Sequence, residues 1–212
     1  NLQLSFSDKV LDDGKWIKDR KILKENNDFR SVTVEQYDDA VSKDKVLKVT
    51  GMYPSYRSEL GLMSKKTNFT PNSEYIYEFY FKNDSMNMRK GKYQGIIAQW
   101  KCFKTPPVMS IKMLNDGKST GILSIGNEKV HVNIGALPAD KWTHFKFKVK
   151  WSTKDDGYTD VYVNNKLVKA YQGPTLLKDF NGYMKIGMYN GLQKYLKTVY
   201  YDDVKILKKV VH

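Results

Sequence analysis

The sequence of 212 residues is poor in several residue types, and each shortage narrows what the protein can be. It contains one cysteine, Cys102, so a disulfide within the chain is excluded and cysteine usage does not reveal the redox compartment. It has three histidines without zinc-ligand spacing, and no glycine-rich loop that would cradle a phosphate. No apolar run is long enough for a transmembrane helix, so membrane insertion is not expected.

Acidic residues are scarce relative to basic ones. The 36 Lys and Arg against 23 Asp and Glu give a formal net charge of +13. An acidic partner is therefore expected, which could be nucleic acid, an anionic membrane surface or an acidic polysaccharide. Hydrophobic residues make up 41% of the chain, which is enough for a sizeable core. Because no repeat or linker is visible, we predict a single domain over residues 1–212.

Alternation of residue types indicates an all-β fold. Two segments each place four large apolar side chains on one face: Tyr75, Tyr77, Phe79 and Phe81 in the first, and Phe145, Phe147, Val149 and Trp151 in the second. The pair Asn164–Asn165 between two alternating segments predicts a hairpin turn. Turn signals recur at intervals typical of β-sandwiches. We therefore predict two curved antiparallel sheets packed as a β-jelly roll.

Three segments have polar faces that are unusual for strands. "YRSELGLMS" puts Arg57, Glu59 and Gly61 on one face. "GIIAQWKCF" sets Ile97, Gln99, Lys101 and Phe103 opposite an apolar face of Ile96, Ala98, Trp100 and Cys102. "GYMKIGMYNG" sets Tyr183, Lys185, Gly187 and Tyr189 opposite Met184, Ile186 and Met188. If the three strands lie in one sheet, their cations, amide and phenols line a common concave surface that can bind a carboxylated chain.

The order of "YRSEL", "QWK" and "YMKIGMYNG" resembles the signature of the jelly-roll polysaccharide lyases. In the alginate lyases of this fold the blocks read roughly R-[ST]-E-L, Q-[IV]-H and Y-F-K-A-G-x-Y-N-Q. The match is closer to the heparin lyase I-like and glucuronan lyase-like group. It covers about residues 50–207, and its specificity lies in the order and spacing of the blocks. The resemblance implies a concanavalin A-like β-jelly roll with a concave substrate groove.

The activity that this resemblance implies is β-elimination on a uronic-acid-containing polysaccharide such as glucuronan, alginate or a heparin-like glycan, with no cofactor required. Arg57 and Gln99 resemble the positions that neutralise the substrate carboxylate. Tyr189 resembles the catalytic tyrosine, which donates a proton and in some members also removes one. Lys185 resembles a lysine that contacts the substrate near the scissile bond. The further substrate-binding candidates are Tyr183, Glu59, Asn190 and His131.

Lys101 departs from the family pattern, because the middle block usually ends in histidine. Three interpretations stay open. Lys101 could act as a base in its neutral form, or it could neutralise charge and leave Tyr189 as both base and acid. Alternatively, catalysis could be lost and the fold retained for binding. We favour the second interpretation, since a lysine in a cationic groove keeps the field that activates Tyr189. His131 is a candidate to replace the missing imidazole.

Two other classes of function are considered beside the lyase. One is a non-catalytic module that binds acidic polysaccharide on the same fold. The other, nucleic-acid binding, is weaker, because the aromatic residues pattern as core and no recognition motif is present. "TKDDGYTD" offers oxygen ligands for calcium but lacks the twelve-residue loop pattern, so a turn is favoured. Because the chain begins at Asn1, we expect a secreted or periplasmic protein whose leader has been removed, and we expect a monomer.

Overall fold

The computed structural model describes residues 2–4, 31–36, 40–41, 45–51, 57–63, 67–84, 91–103, 105–115, 119–126, 129–189 and 197–209. Within these residues the chain forms strands and turns and no helix. The strands are β1 (Leu2–Leu4), β2 (Ser31–Gln36), β3 (Lys45–Gly51), β4 (Arg57–Leu62), β5 (Ser73–Asn83), β6 (Gly91–Cys102), β7 (Pro107–Asn115), β8 (Thr120–Ile125), β9 (Val130–Ala136), β10 (Thr143–Trp151), β11 (Tyr158–Val163), β12 (Lys166–Gln172), β13 (Gly182–Tyr189) and β14 (Lys197–Lys208).

Two antiparallel sheets contain all of these strands. The larger has eight strands in the order β12-β11-β10-β5-β14-β3-β2, with β1 paired to β14 outside this path. The smaller has six strands in the order β4-β13-β6-β7-β8-β9. Strands that neighbour each other in space, such as β13 and β4, are often far apart in sequence, as in a β-jelly roll.

An aromatic core joins the two sheets. The alternating aromatic faces predicted for β5 and β10 are buried, which confirms that prediction. Trp100 of β6 packs edge-on against Tyr77 of β5 and Phe147 of β10, with ring centroids 5.4 and 5.0 Å apart respectively. Phe69 stacks on Trp151 at 4.2 Å. These large rings fix how the smaller sheet sits on the larger one.

The predicted hairpin turn is also confirmed. Asn164 and Asn165 join β11 to β12 with φ values of 49° and 64°. Two consecutive residues with positive φ are the mark of a type I′ turn, which matches the twist of the strands that it connects. Asparagine tolerates this backbone region better than most residues do.

The face of the smaller sheet that is turned away from the core, called the outer face below, is recessed. Ser110 and Ser124 point to this face, because their neighbours in sequence belong to the core. Even so, Ser110 is 2% exposed and Ser124 is 1% exposed. Side chains this small on a flat, open sheet would be in contact with water. Taller surroundings must therefore shield them, which supports the predicted groove.

Candidate active site

The three predicted blocks meet on adjacent strands. β13 lies between β4 and β6, so all three segments contribute to the outer face of one sheet. Tyr189 pairs with Arg57 on one side, and Lys185 pairs with Gln99 on the other. Directly paired residues belong to the same face of a sheet, so this register sets the four predicted residues in two pairs, about 13 Å apart along β13. Only the backbone position of Arg57 is described, and Asn190 lies outside the described residues.

The side chains of β13 alternate as its sequence predicts. Met184, Ile186 and Met188 are buried in the core. Lys185 is half-buried on the outer face, and Tyr189 is 36% exposed there. The apolar face therefore anchors the strand, while its lysine and phenols are presented to the groove.

Glu59 joins two of the candidates into a hydrogen-bonded cluster. The amide Nε2 of Gln99 donates a hydrogen bond to Oε1 of Glu59. The ammonium of Lys185 lies 3.7 Å from Oε2 of the same carboxylate. Glu59 and Gln99 are 5% and 3% exposed. A buried carboxylate held by an amide and an ammonium fixes the rotamers of both partners. An amide carries two N–H groups, so Gln99 can bind Glu59 and a ligand together.

Lys101 lies at one end of the outer face. It pairs with Tyr183, two residues beyond the pair of Gln99 and Lys185. From Tyr183 to Tyr189 the strand advances by about 20 Å. At the level of the backbone, Lys101 is therefore remote from Tyr189. Its position suits a contact with a neighbouring part of a long ligand better than direct proton exchange with that tyrosine.

His131 shares the outer face but not the cluster. Paired residues run across the sheet from Gln99 to Ser110, Ser124 and His131. The imidazole Nδ1 of His131 is 3.1 Å from the hydroxyl of Ser124. Three strand spacings separate it from Gln99, which is about 14 Å. The structure therefore puts His131 at the far edge of the face, outside the cluster on β4, β13 and β6.

A second row of paired residues starts at Tyr189. It runs through Ile96, Lys112, Ile122 and Asn133. Lys112 is thus a further cation on the outer face. Lys112 was not singled out from the sequence, because the register that places it in this row is set only when the sheet forms.

A bulge in β13 shapes the backbone next to Tyr189. Ile186 pairs with Ala98 and Tyr189 with Ile96, so two residues of β13 face only Ile97 of β6. Strand β6 has an irregularity of its own against β7, where Ile96 pairs with Lys112 and Ala98 with Ile111, and this one changes an expectation. Ile97 packs in the core cluster with Ala98, whereas Ile96, predicted to be on the core face, is not part of that cluster. A bulge locally breaks the strict alternation from which the prediction was made.

The hydroxyl of Tyr201, reaching from β14 of the other sheet, fills this bulge. It lies 2.5 Å from the carbonyl of Ile97 and 2.8 Å from that of Gly187, and it accepts the amide hydrogen of Gly187 at 3.1 Å. Complete burial raises the pKa of Tyr201 well above its ordinary value. The phenol is therefore protonated and remains a donor through neutral and alkaline pH.

Gly187 is required for a backbone reason. Its φ is +133°, and a Cβ there would lie 2.4 Å from the carbonyl oxygen of Ser58. This glycine therefore permits the bulge and the close approach of β4.

No metal site is found in the part of the chain that the structure describes, where no group of three His, Cys, Asp or Glu residues could hold an ion. In the segment considered for calcium, the Asp156 carboxylate already binds Lys150 and Ser152, each at 2.6 Å. Cys102 is buried, and this burial raises the pKa of its thiol, as expected for a packing residue. No described helix is long and apolar enough to cross a membrane.

Comparisons with known proteins agree with this architecture. A family profile described as Polysaccharide lyase matches residues 14–205. A comparison with curated protein sequences finds no significant match. Among solved structures, the endo-β-1,4-glucuronan lyase of the fungus Trichoderma reesei is similar, with a TM-score of 0.62 and 18% identity over 86% of this chain and 91% of that chain.

Two further solved structures share the fold. Alginate lyase AlyC3 has a TM-score of 0.60 and 13% identity over 77% of this chain and 75% of that chain. The cellulose-induced protein Cip1 has a TM-score of 0.59 and 12% identity over 87% of this chain and 88% of that chain. Together with the two described sheets, these likenesses confirm the predicted β-jelly roll.

Proposed function

Because the chain belongs to the polysaccharide lyase family, we propose that it cleaves a uronic-acid-containing polysaccharide by β-elimination at the outer face of its smaller sheet. The observation that carries this proposal is the register of β13 with its two neighbours. That register gathers Arg57, Gln99, Lys185 and Tyr189 from three separate segments. The net charge of +13 favours a polyanionic substrate.

The first task in such a reaction is to neutralise the sugar carboxylate. The proton on C5 is barely acidic while the neighbouring carboxylate is charged. Gln99, held in place by Glu59, offers an N–H to the carboxylate, and Arg57 on β4, at the other side of β13, offers its guanidinium. Charge that develops on the carboxyl group during proton removal is then stabilised by fixed donors.

Tyr189 performs both proton transfers in this proposal. Its phenolate oxygen takes the proton from C5, a double bond forms between C4 and C5, and the C4–O bond breaks. The same proton then passes from the phenol to the leaving oxygen, so protons and electrons balance. Lys185 contacts the substrate near the scissile bond, about 13 Å along the strand from Tyr189. A sugar ring fits between the two side chains.

Lys101 acts in this scheme as a charge that binds a substrate carboxylate. Its position opposite Tyr183, remote from Tyr189 along β13, supports this role over that of a base. Tyr183, Glu59, Asn190 and His131 are proposed to bind or position the substrate. With side-chain cations available for neutralisation, no cofactor is required, and activity should survive EDTA.

We further propose that the enzyme acts as a monomer outside the cytoplasm, in the periplasm or the medium. A polyuronate chain is too large to enter a cell uncut. The glucuronan lyase of Trichoderma reesei has a similar fold, which makes glucuronan the first polymer to test. Alginate and heparin follow.

The test follows the unsaturated uronyl product by its near-ultraviolet absorbance, with glucuronan, alginate and heparin from neutral to alkaline pH. Wild type should give product with at least one polymer. Tyr189→Phe should lower turnover by about 100-fold or more while binding is kept. Tyr162→Phe is a matched control, because Tyr162 lies in the other sheet with the ammonium of Lys148 5.2 Å from its ring. Full activity in Tyr189→Phe would refute the assigned roles.

A non-catalytic binding module is the second candidate. The departure at Lys101 from the histidine of the family pattern favours it. Retardation of wild type in gels that contain polyuronate, with no product from any polymer, would support this candidate over the lyase.

A further inference from the structure

Two exposed apolar side chains and a half-buried tyrosine ring form a surface at the Lys101 end of the outer face. Phe103 is 45% exposed, and its ring centroid lies 5.2 Å from that of Tyr183. Met63 is 40% exposed. Its side chain and the Tyr183 ring both lie over Gly61, each within 4 Å of where a Cβ would be. We call Met63, Phe103 and Tyr183 the apolar shelf.

Two cations border the apolar shelf. Lys101 is the cross-strand partner of Tyr183. The ammonium of Lys185 lies 5.8 Å from the centroid of the Tyr183 ring. The shelf thus presents apolar surface next to positive charge, a few residues from the buried pair of Gln99 and Glu59.

This combination selects for a particular ligand chemistry. Burial of an exposed phenylalanine side chain is favourable, so a ligand that covers Phe103 gains binding free energy. A pyranose ring has an apolar C–H face that stacks on aromatic rings, and a uronate adds a carboxylate at the ring edge. A neutral sugar would leave the cations unused, and a simple anion would leave the aromatic rings uncovered.

We propose that the apolar shelf is a binding subsite for a hexuronate unit of the polymer next to the reaction centre. The C–H face of the sugar stacks on Phe103 and Tyr183, and Lys101 pairs with its carboxylate. This inference rests on the proposed lyase function, because it takes the ligand to be part of the chain that is cleaved. In this subsite Lys101 binds the carboxylate of a sugar unit, a role that does not require Lys101 to exchange a proton with Tyr189.

The experiment measures binding without turnover. In a Tyr189→Phe background, Phe103→Ala is compared with Leu167→Ala by affinity electrophoresis and titration calorimetry with glucuronan, alginate and heparin. Leu167 is the matched control, since it is 48% exposed but lies on β12 of the other sheet. Phe103→Ala should weaken binding about fivefold, whereas Leu167→Ala should leave it unchanged. Phe103→Trp should keep the affinity.

The effect of salt on binding distinguishes the stacking contact of Phe103 from the ion pair of Lys101. Stacking is not screened, so the loss from Phe103→Ala should persist in 0.5 M NaCl. The loss from Lys101→Met should shrink there, because ion pairs near the surface weaken with ionic strength. With Tyr189 intact, Phe103→Ala should raise KM about fivefold with little change in kcat.

The outcomes distinguish this inference from the proposed function. If wild type forms unsaturated product but Phe103→Ala and Leu167→Ala bind alike, the subsite is wrong and the lyase stands. If wild type forms no product but Phe103→Ala still weakens binding selectively, the subsite stands and the lyase is wrong. Absence of binding to all three polymers overturns both.

Discussion

Lys101 and Glu59 show which properties of a single residue can be predicted from sequence before the strand pairing is known. The outward direction of Lys101 follows from alternation in "AQWKC", with Ala98, Trp100 and Cys102 buried in the core. The partners of Glu59 do not follow from sequence. Its bond to Gln99 joins residues 40 positions apart, and it exists only because β4 and β6 flank the same strand. Residue type and local pattern therefore predict a direction, but not a neighbour.

If Lys101 binds substrate through its positive charge, the kinetics of Lys101→His should depend on pH in one way. If Lys101 acts as a base, they should depend on pH in the opposite way. In Lys101→His, the new imidazole should be charged below about pH 6.5 and neutral above it. If the positive charge binds substrate, KM of Lys101→His should be close to that of wild type at pH 5.5 and should rise about tenfold by pH 8. Michaelis–Menten kinetics across this pH range measure the change.

Lys101→Arg is the control, because arginine keeps its charge throughout. Its KM should vary with pH as that of wild type does. A kcat of Lys101→His that instead increases as pH rises through 6.5, with KM constant, would identify a general base at this position.

Among the elements, β13 carries the most functional information and also the feature that sequence could not supply. Its buried methionines and isoleucine fix which face is presented. The bulge opposite Ile97 depends on a glycine, on the close approach of Ser58 and on a hydroxyl from the opposite sheet. Ser58 and Tyr201 lie on other strands, so the sequence of β13 alone does not predict this bulge.

Removal of the Tyr201 hydroxyl tests whether the bulge positions Tyr189. In Tyr201→Phe, the peptide groups of Gly187 and Ile97 lose a buried partner, which should lower the free energy of unfolding by about 1–3 kcal/mol. Since Tyr189 follows two residues after Gly187, a shift of the bulge should also reduce kcat, by about tenfold, in protein that is still folded. Urea unfolding and kinetics at a temperature well below the transition measure the two effects.

Tyr77→Phe separates positioning from stability. Tyr77 is equally buried, and its hydroxyl accepts a hydrogen bond from Trp151 at 3.0 Å, but it lies in the larger sheet away from β13. It should lose similar stability and keep kcat. A Tyr201→Phe protein that is less stable but turns over like Tyr77→Phe would mean that the hydroxyl stabilises the fold only.

For the whole molecule, patterning predicted the fold class and most of the core. The reason is physical: alternating aromatic strands such as β5 and β10 can bury their apolar faces only against another sheet. The order of the strands within each sheet could not be predicted from this patterning. That β13 lies between β4 and β6 was not predicted, because pairing between distant strands depends on the complete sheet.

The excess of positive charge is also a property of the whole chain, and it predicts how activity responds to salt. The larger sheet places some of its cations beside acids, as with Lys146, whose ammonium is 3.6 Å from Glu78, but a net charge of +13 remains. Long-range attraction of a polyanion should therefore raise the association rate at low ionic strength.

Raising NaCl from 0.05 to 0.5 M should then lower kcat/KM for the polymer by about tenfold or more, because the Debye length falls to only a few ångströms over this range. The value of kcat at saturating substrate should change little, since chemistry within the bound complex does not depend on attraction from a distance. A trisaccharide of the same uronate is the matched substrate. It carries few charges, so its kcat/KM should fall far less. Equal salt dependence for polymer and trisaccharide would contradict steering by net charge and would attribute the effect to contacts within the groove.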